Sequence, residues 1–310
     1  LTATGGADLT YVSVGNEVTG NPMGMGSNIN FKGSGELDNG WSVDLSIAMK
    51  NQNNYSATTV TVTVPAIGDL QIGQGGSGTG IDRMDDVTPN VWEEAYGTGL
   101  GNGIQTVNGA SGGTGIEWTP NMLPDGLTAR VFYTPDVSGG STSNDKSYSG
   151  IAAASGRGYD ITLELGEGIT GMSGLTVGGG YSDTVNAKSG EGDITDLTVY
   201  ATYAVGGLTI GYQWSEADLG TTTGAQQYDN DGYGITFAIN DDLSIGYNHY
   251  ESDQTNTGGD VTNEATSMQI AYSVGGASIR VAESSSDNQD YNTGAAYDRD
   301  NTVLSVSLAF

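Results

Sequence analysis

The chain has 310 residues and a formal net charge of −28, from 37 acidic and 9 basic side chains, a balance that repels nucleic-acid phosphates and attracts cations. Only 36% of the residues are hydrophobic, which is low for a soluble domain, and the absence of cysteine excludes thiol catalysis and disulfides. No apolar run reaches the about 18 residues of a membrane-spanning helix. No signal-peptide pattern opens the chain, so we expect any such peptide to have been removed.

Apolar and polar residues alternate along most of the chain, which predicts strands with one apolar face. In the run Trp41–Met49, every second residue is apolar, and the same holds for Leu304–Phe310. The predicted strands cover 5–14, 27–37, 41–52, 57–64, 69–75, 113–119, 126–134, 157–166, 174–183, 194–205, 207–215, 230–240, 242–251, 264–274, 276–284 and 300–310. The sequence therefore predicts an all-β fold of sixteen strands in one domain, residues 1–310.

The connections between these strands alternate in length. Short links with turn residues include Asp38-Asn39-Gly40, Gly206-Gly207 and Gly275-Gly276, whereas the other links run from 53–56 at the shortest to 75–112 at the longest. Transmembrane barrels have short periplasmic turns at one end and long extracellular loops at the other. We therefore expect a transmembrane antiparallel barrel.

Aromatic residues fall near both ends of the predicted strands, on the apolar face. Two aromatic belts at the membrane interfaces are typical of such barrels. The outer belt would contain Tyr11, Tyr133, Tyr159, Tyr181, Tyr212, Tyr233 and Tyr247, and the inner belt Trp41, Trp118, Tyr203, Tyr272 and Phe310.

In this pattern the chain resembles the general diffusion porins of Gram-negative outer membranes, a trimeric sixteen-stranded family. The segment Thr302–Phe310 resembles the family's C-terminal assembly signal, Gly68–Gln74 the short strand before the third loop, and Gly115–Pro120 the return strand. The resemblance implies a bacterial outer-membrane location, passive diffusion of small hydrophilic solutes without a cofactor, and contact with membrane lipid or lipopolysaccharide. It also implies a homotrimer whose second loop, about 53–56, reaches a neighbour.

The third loop, 75–112, is the main functional candidate, because the resemblance implies that it folds into the barrel and narrows it. A helix is expected near Thr88, with Pro89 at its first position. The loop carries a run of acids that would form a negative ring in the pore and favour cations. Its charged residues are Asp82, Arg83, Asp85, Asp86, Glu93 and Glu94.

Strand parity places three basic residues, Lys32, Lys50 and Arg130, on the lumen face, where they could form a thin basic wall opposite the acidic loop. The family usually has several arginines there, whereas this chain has only nine Lys and Arg in all. The same alternation along the strands places further charged residues in the lumen, and most of them are acidic. They are Glu36, Asp44, Asp160, Glu164 and Arg280.

Alternative functions remain open at this point. Asp82, Asp85 and Asp86 are close enough in sequence to share a Ca²⁺ ion, although no EF-hand spacing is present. A substrate-specific channel would need aromatic residues along the lumen, and Tyr200 is among the few predicted to point inward. A barrel hydrolase would have to use His249, the only histidine, and no activated serine is recognisable beside it.

Overall fold

The computed structural model describes residues 1–15, 20–51, 53–75, 78–110, 114–137 and 155–309. In this part of the chain, sixteen strands form one closed antiparallel barrel in which each strand pairs with its neighbours in sequence and β1 pairs with β16. The strands are β1 (Thr2–Val14), β2 (Met23–Glu36), β3 (Ser42–Lys50), β4 (Asn53–Val64), β5 (Gly68–Gly75), β6 (Gly115–Thr119), β7 (Leu127–Thr134), β8 (Ser155–Leu165), β9 (Leu175–Asn186), β10 (Ile194–Val205), β11 (Leu208–Asp218), β12 (Ala225–Ala238), β13 (Leu243–Asn256), β14 (Val261–Val274), β15 (Ala277–Asp287) and β16 (Arg299–Ala309). Both the all-β class and the strand number predicted from the sequence are confirmed.

The strand ends differ most from the prediction at the barrel end that carries the third loop. There β2 starts at Met23, β12 starts at Ala225 and β13 ends at Asn256, each four or five residues beyond the predicted limit. The extension of β13 is polar on both faces over Asp253–Asn256 and shows no alternation, although its backbone continues the ladder. The extension of β2 alternates Met23 and Met25 with two glycines, a short apolar pattern that the prediction missed.

The outer face of the barrel is apolar, as a lipid-facing wall requires. Val131, Ile210, Ile235 and Leu304 are each more than 40% exposed, whereas the residues between them on the same strands point inward. The predicted belt tyrosines alternate with inward residues in the same way and lie on this outer face. Phe310, predicted for the inner belt, lies outside the described residues.

The connections follow the predicted alternation only in part. Residues 53–56 form the start of β4 rather than a second loop, and only residues 51 and 52 separate β3 from β4. At the other barrel end, two connections are longer than the two- or three-residue turns predicted elsewhere at that end, as the predicted strands already implied: 120–126 and 166–174, the latter including helix α1 (Glu167–Thr170). Among the described residues no helix has the length and apolar character to cross a membrane.

Candidate functional site

The third loop connects β5 to β6, and its described part, residues 78–110, lies inside the barrel. Thr79, Ile81, Ala95 and Val107 are all 0% exposed, although no strand includes them. Side chains at inward positions of β6, β8 and β10–β16 form hydrogen bonds with the loop. The loop thus follows the inner wall along this arc and leaves the wall of β2–β4 facing it.

Carboxylates on three strands hold the two roots of the loop. Asp160 on β8 is fully buried and accepts the Ile81 N–H and the Ala110 N–H, each at 3.0 Å, so that one side chain joins both roots. Glu117 on β6 accepts the Gly80 N–H at 2.7 Å and also pairs with Arg83. Further round, Asp196 on β10 accepts the Gly109 N–H at 2.6 Å. Buried backbone donors need such acceptors, because an unpaired one costs about 1–3 kcal/mol.

Neutral amides hold the middle of the loop. Gln213 on β11 accepts the Val87 N–H at 3.1 Å, while its amide group donates to the Met84 carbonyl. Gln269 on β14 does the same with the Trp92 N–H and the Glu93 carbonyl. An amide carries both a donor and an acceptor, so each glutamine satisfies two backbone groups of an irregular segment.

An apolar contact centred on Tyr250 of β13 secures the loop further along. The Tyr250 ring is 2% exposed and meets Tyr96 edge-on, with ring centroids 4.8 Å apart, beside Ala95 and Ile104. Its hydroxyl bonds to Thr88, and no helix starts there, so the helix predicted at Thr88 is wrong: the hydroxyl expected to cap it is bound to the wall against which the loop lies. Short 3₁₀ helices occur instead, at Gly80–Met84 and Ala95–Gly97.

The predicted acids come together on this anchored loop. Asp86 and Glu93 are exposed to the lumen, Asp82 and Asp85 are half-buried, and Glu94 is buried and accepts the Asn90 amide at 2.8 Å. That they form the pore's negative ring stays a prediction.

Burial and mutual repulsion leave this acidic cluster partly protonated near neutral pH. Burial, followed by the charge of Asp86, raises the pKa of Asp85 to about 8. Burial and a hydrogen bond with Glu93 raise the pKa of Glu94 to about 8, and burial also raises the pKa of Asp86. The loop therefore gains negative charge as the pH rises through 8.

The three predicted wall cations lie at different heights. Lys32 is exposed on β2 and faces Ser46 in the β2–β3 ladder, whereas exposed Lys50 ends β3, four residues and thus about 13 Å further along the strand. Arg130 on β7 lies within 3.7 Å of Glu164 on β8, which also accepts the Tyr200 hydroxyl at 2.6 Å. The basic wall opposite the loop stays a prediction, and the described geometry makes it discontinuous.

The other predicted lumen charges are mostly paired or lie near the far end of the barrel. Arg83 is paired with Glu117, and Arg280 on β15 lies 3.9 Å from Asp8 on β1. Glu36 ends β2, and Asp44 on β3 is exposed beside Ser34 and Thr61 in the ladder. Arg83, Arg130 and Arg280 thus each have a carboxylate partner.

The wall residues that hold the loop were missed as anchors by sequence reasoning. Strand parity places Asp160 inward, and the same parity would have placed Asp196, Gln213 and Gln269 there. Nothing in the sequence, however, tells an inward polar residue that meets water from one that meets the loop.

The metal prediction is left open. Within the part of the chain that the structure describes, one group of three or more potential ligands has its ligand atoms within 4.8 Å of one another: His249, Glu251 and Glu264. Asp82 and its neighbours Asp85 and Asp86 are not such a group, so Ca²⁺ binding there stays a prediction.

Comparisons with known proteins agree with this architecture. A sequence model described as Gram-negative porin matches residues 1–277. The solved structure of a porin refined at 1.8 Å is 15% identical, with a TM-score of 0.69, over 100% of this chain and 99% of that one. OmpF of Salmonella typhi in complex with daunomycin is 13% identical, with a TM-score of 0.72 over 100% of this chain and 97% of that one. An anion-selective porin of Comamonas acidovorans is 14% identical, with a TM-score of 0.67 over 100% of this chain and 99% of that one. No sequence among the curated proteins matches significantly.

Proposed function

The chain belongs to the Gram-negative porin family and forms a channel for passive diffusion across the bacterial outer membrane, and we propose that this channel prefers cations to anions. It is a channel, not an enzyme, and its one histidine, His249, lies on the outer wall of the barrel rather than in the lumen. Selectivity is a separate matter from the fold, because it depends on the charges that line the lumen.

The pairing of the arginines is the observation that carries the proposal. Arg83, Arg130 and Arg280 each lie within 4.0 Å of a carboxylate, so their charges are locally offset. Exposed Asp86 and Glu93 of the loop lie among other carboxyls, which raise rather than offset the local negative potential.

The remaining lumen charges do not reverse this balance. Lys32 on β2 and Lys50 on β3 lie about 13 Å apart along the strand direction. Asp44 on β3 lies on the same wall, nearer than either lysine to the barrel end opposite the third loop. The solved porin from Comamonas acidovorans is anion-selective, but at 14% identity the likeness covers the fold and leaves the lumen charges free to differ. The sign of the selectivity therefore follows from the acidic third loop.

Reversal potentials in a planar bilayer under a KCl gradient test the proposal at pH 9, above the raised pKa values of Asp85 and Glu94, so that the loop carboxyls are ionised. The wild-type channel is expected to pass K⁺ in preference to Cl⁻. Neutralising four loop acids together should move the reversal potential most of the way to zero without closing the channel. The variant combines Asp85→Asn, Asp86→Asn, Glu93→Gln and Glu94→Gln.

A control with the same change of net charge removes four carboxylates from the outer wall instead. Alternation with buried inward residues places all four on that wall. The control combines Glu216→Gln, Asp229→Asn, Asp253→Asn and Asp300→Asn. It should keep the wild-type reversal potential. If the loop variant also keeps it, or if the wild-type channel prefers Cl⁻, the loop does not set the selectivity.

We also propose that the protein assembles as a homotrimer, which family membership supports. Native mass spectrometry of the detergent-solubilised protein tests this. Three chains per particle is the expected result, and a particle of one chain at the same protein concentration would contradict it. Bilayer currents of a trimer should also rise in groups of three equal steps.

A further inference from the structure

One group of potential metal ligands lies on the outer wall of the barrel, on the opposite face of the sheet from the third loop and the lumen. His249 and Glu251 are on β13 and Glu264 is on β14, and one ligand atom of each lies within 4.8 Å of the other two. Their outward direction follows from alternation, since Asn248, Tyr250 and Ser252 are buried on the inward face of β13, as Asn263 is on β14.

The barrel register fixes this group. Glu251 faces Glu264 directly in the β13–β14 ladder, and His249 faces Thr266, the neighbouring outward position on β14. On the other side, the ring of Tyr233 stacks on the imidazole, with centroids 4.9 Å apart and planes 28° apart. The three potential ligands thus lie at neighbouring positions of two paired strands, and the ring of Tyr233 orients the imidazole of His249.

The group is also an electrostatic anomaly in the sheet. Two like charges directly opposite each other on antiparallel strands destabilise the pair. Asp231 on β12, which faces Glu251 in the ladder, and Asp253 add further negative charge. A bound divalent cation would offset the two glutamates and leave the group neutral.

We propose that His249, Glu251 and Glu264 bind one divalent transition-metal ion of the Zn²⁺ class. An imidazole nitrogen and two carboxylate oxygens suit Zn²⁺, whereas Ca²⁺ and Mg²⁺ favour all-oxygen sites. Ligands of one ion lie roughly 3–3.5 Å apart in tetrahedral geometry, so the group closes by small side-chain rotations. Three protein ligands leave a fourth position for water.

The site would lie just beyond the outer aromatic belt, at the barrel end that carries the third loop. Tyr233 and Tyr247 of that belt flank His249, and the apolar residues Met268 and Ile270 follow towards the middle of β14. An ion bound there meets the extracellular medium without entering the pore. Its binding is therefore independent of the channel's ion selectivity.

Histidine-selective ¹⁵N labelling makes the test direct, because the chain has a single histidine. The full chain, folded in detergent and purified without a histidine tag, is titrated with ZnCl₂ while the two imidazole nitrogen resonances are recorded. We expect saturation at one Zn²⁺ per chain with a shift of the ligating nitrogen, and a much weaker response to CaCl₂.

Two substitutions and one control define the site. Glu251→Gln and Glu264→Gln should each weaken the Zn²⁺ affinity at least 10-fold, as loss of one of three protein ligands requires. Glu216→Gln, which removes an outward carboxylate on β11 away from the group, should leave the affinity unchanged. Circular dichroism and heat-modifiable gel mobility confirm that each variant forms the barrel.

Three results would overturn the proposal. Imidazole resonances that do not respond to Zn²⁺ would exclude His249 as a ligand, even if zinc binds elsewhere, for example at the third-loop acids. An affinity unchanged in both glutamine variants would exclude Glu251 and Glu264. An equal response to CaCl₂ would show an unselective surface charge rather than a site of this class.

Discussion

Replacing Asp160 with alanine should release the third loop from the wall while leaving the barrel intact. The substitution removes the acceptor of two buried N–H groups, those of Ile81 and Ala110, and so both roots of the loop lose an anchor. At about 1–3 kcal/mol for each unpaired buried donor, the docked loop loses about 2–6 kcal/mol relative to an undocked one. That lowers the ratio of docked to undocked loop by roughly 30-fold or more, since about 1.4 kcal/mol is a factor of ten. The ladders of β8 with β7 and β9 use backbone groups and are unaffected.

Trypsin provides the assay, because Arg83 lies inside the loop. In the wild-type protein Arg83 is paired with Glu117, next to buried Met84, and should resist cleavage. In the Asp160→Ala variant we expect a fragment with a new N-terminus at Met84, together with a larger and noisier single-channel conductance. Asp160→Asn, which keeps one acceptor oxygen, should fall between the two.

Thr162→Val is the matched control for this experiment. Thr162 is the next inward residue on β8, equally buried, and its hydroxyl oxygen has no hydrogen-bond partner in the described structure. The variant should be cleaved and should conduct as the wild type does. If Asp160→Ala also behaves as the wild type, Asp160 does not hold the loop, and the anchoring assigned to the carboxylates is wrong.

Two further predictions concern the charge and the backbone of the loop. Cation preference should increase between pH 6 and pH 9, because the raised pKa values of Asp85 and Glu94 keep both carboxyls neutral below about 8. Reversal potentials at several pH values measure this increase, and an Asp85→Asn/Glu94→Gln variant should lose it. The same raised pKa values mean that the docked loop is most stable below about pH 4 and loses this stability as the pH rises through 8. Tryptic cleavage at Arg83 should therefore increase from pH 4 to pH 8, and a decrease would contradict the protonation assigned to Asp85 and Glu94. Gly80→Ala should undock the loop, since a Cβ there would lie 1.8 Å from a carboxylate oxygen of Asp160 and φ is +65°. Gly78→Ala, at φ +60° in open space, carries the same backbone penalty without the clash and should retain the docked loop.

The barrel was predictable because one physical contrast repeats along it. Each membrane-crossing strand places lipid on one side and water or the loop on the other, which imposes the alternation seen in Ile210, Tyr212 and Trp214 against Gly211 and Gln213. Where the strands leave the lipid, as at Asp253–Asn256, both faces are polar and the signal ends before the strand does. The predicted end of β13 is too early for this reason.

The loop was only partly predictable, for a different reason. Its length and its acids are visible in the sequence, but its conformation depends on residues far along the chain, such as Gln213 and Tyr250. The Thr88–Pro89 pair is a good local signal for a helix start, and the bond from Thr88 to Tyr250 overrides it. A local rule fails where an irregular segment satisfies its backbone through the wall rather than through itself.

Two kinds of side chain, carboxylates and neutral amides, anchor the loop at different places. Carboxylates such as Asp160 hold the roots, where their charge is satisfied by backbone N–H groups. Along the acidic middle the anchors are the neutral amides of Gln213 and Gln269, which fix the backbone without adding positive charge beside the loop carboxyls. A basic anchor there would hold the loop equally well but would cancel the negative potential. The main anchors of the loop and the main source of its charge are therefore different residues. Substitutions at Asp160 should chiefly change conductance, and those at Asp85 and its neighbours should chiefly change selectivity.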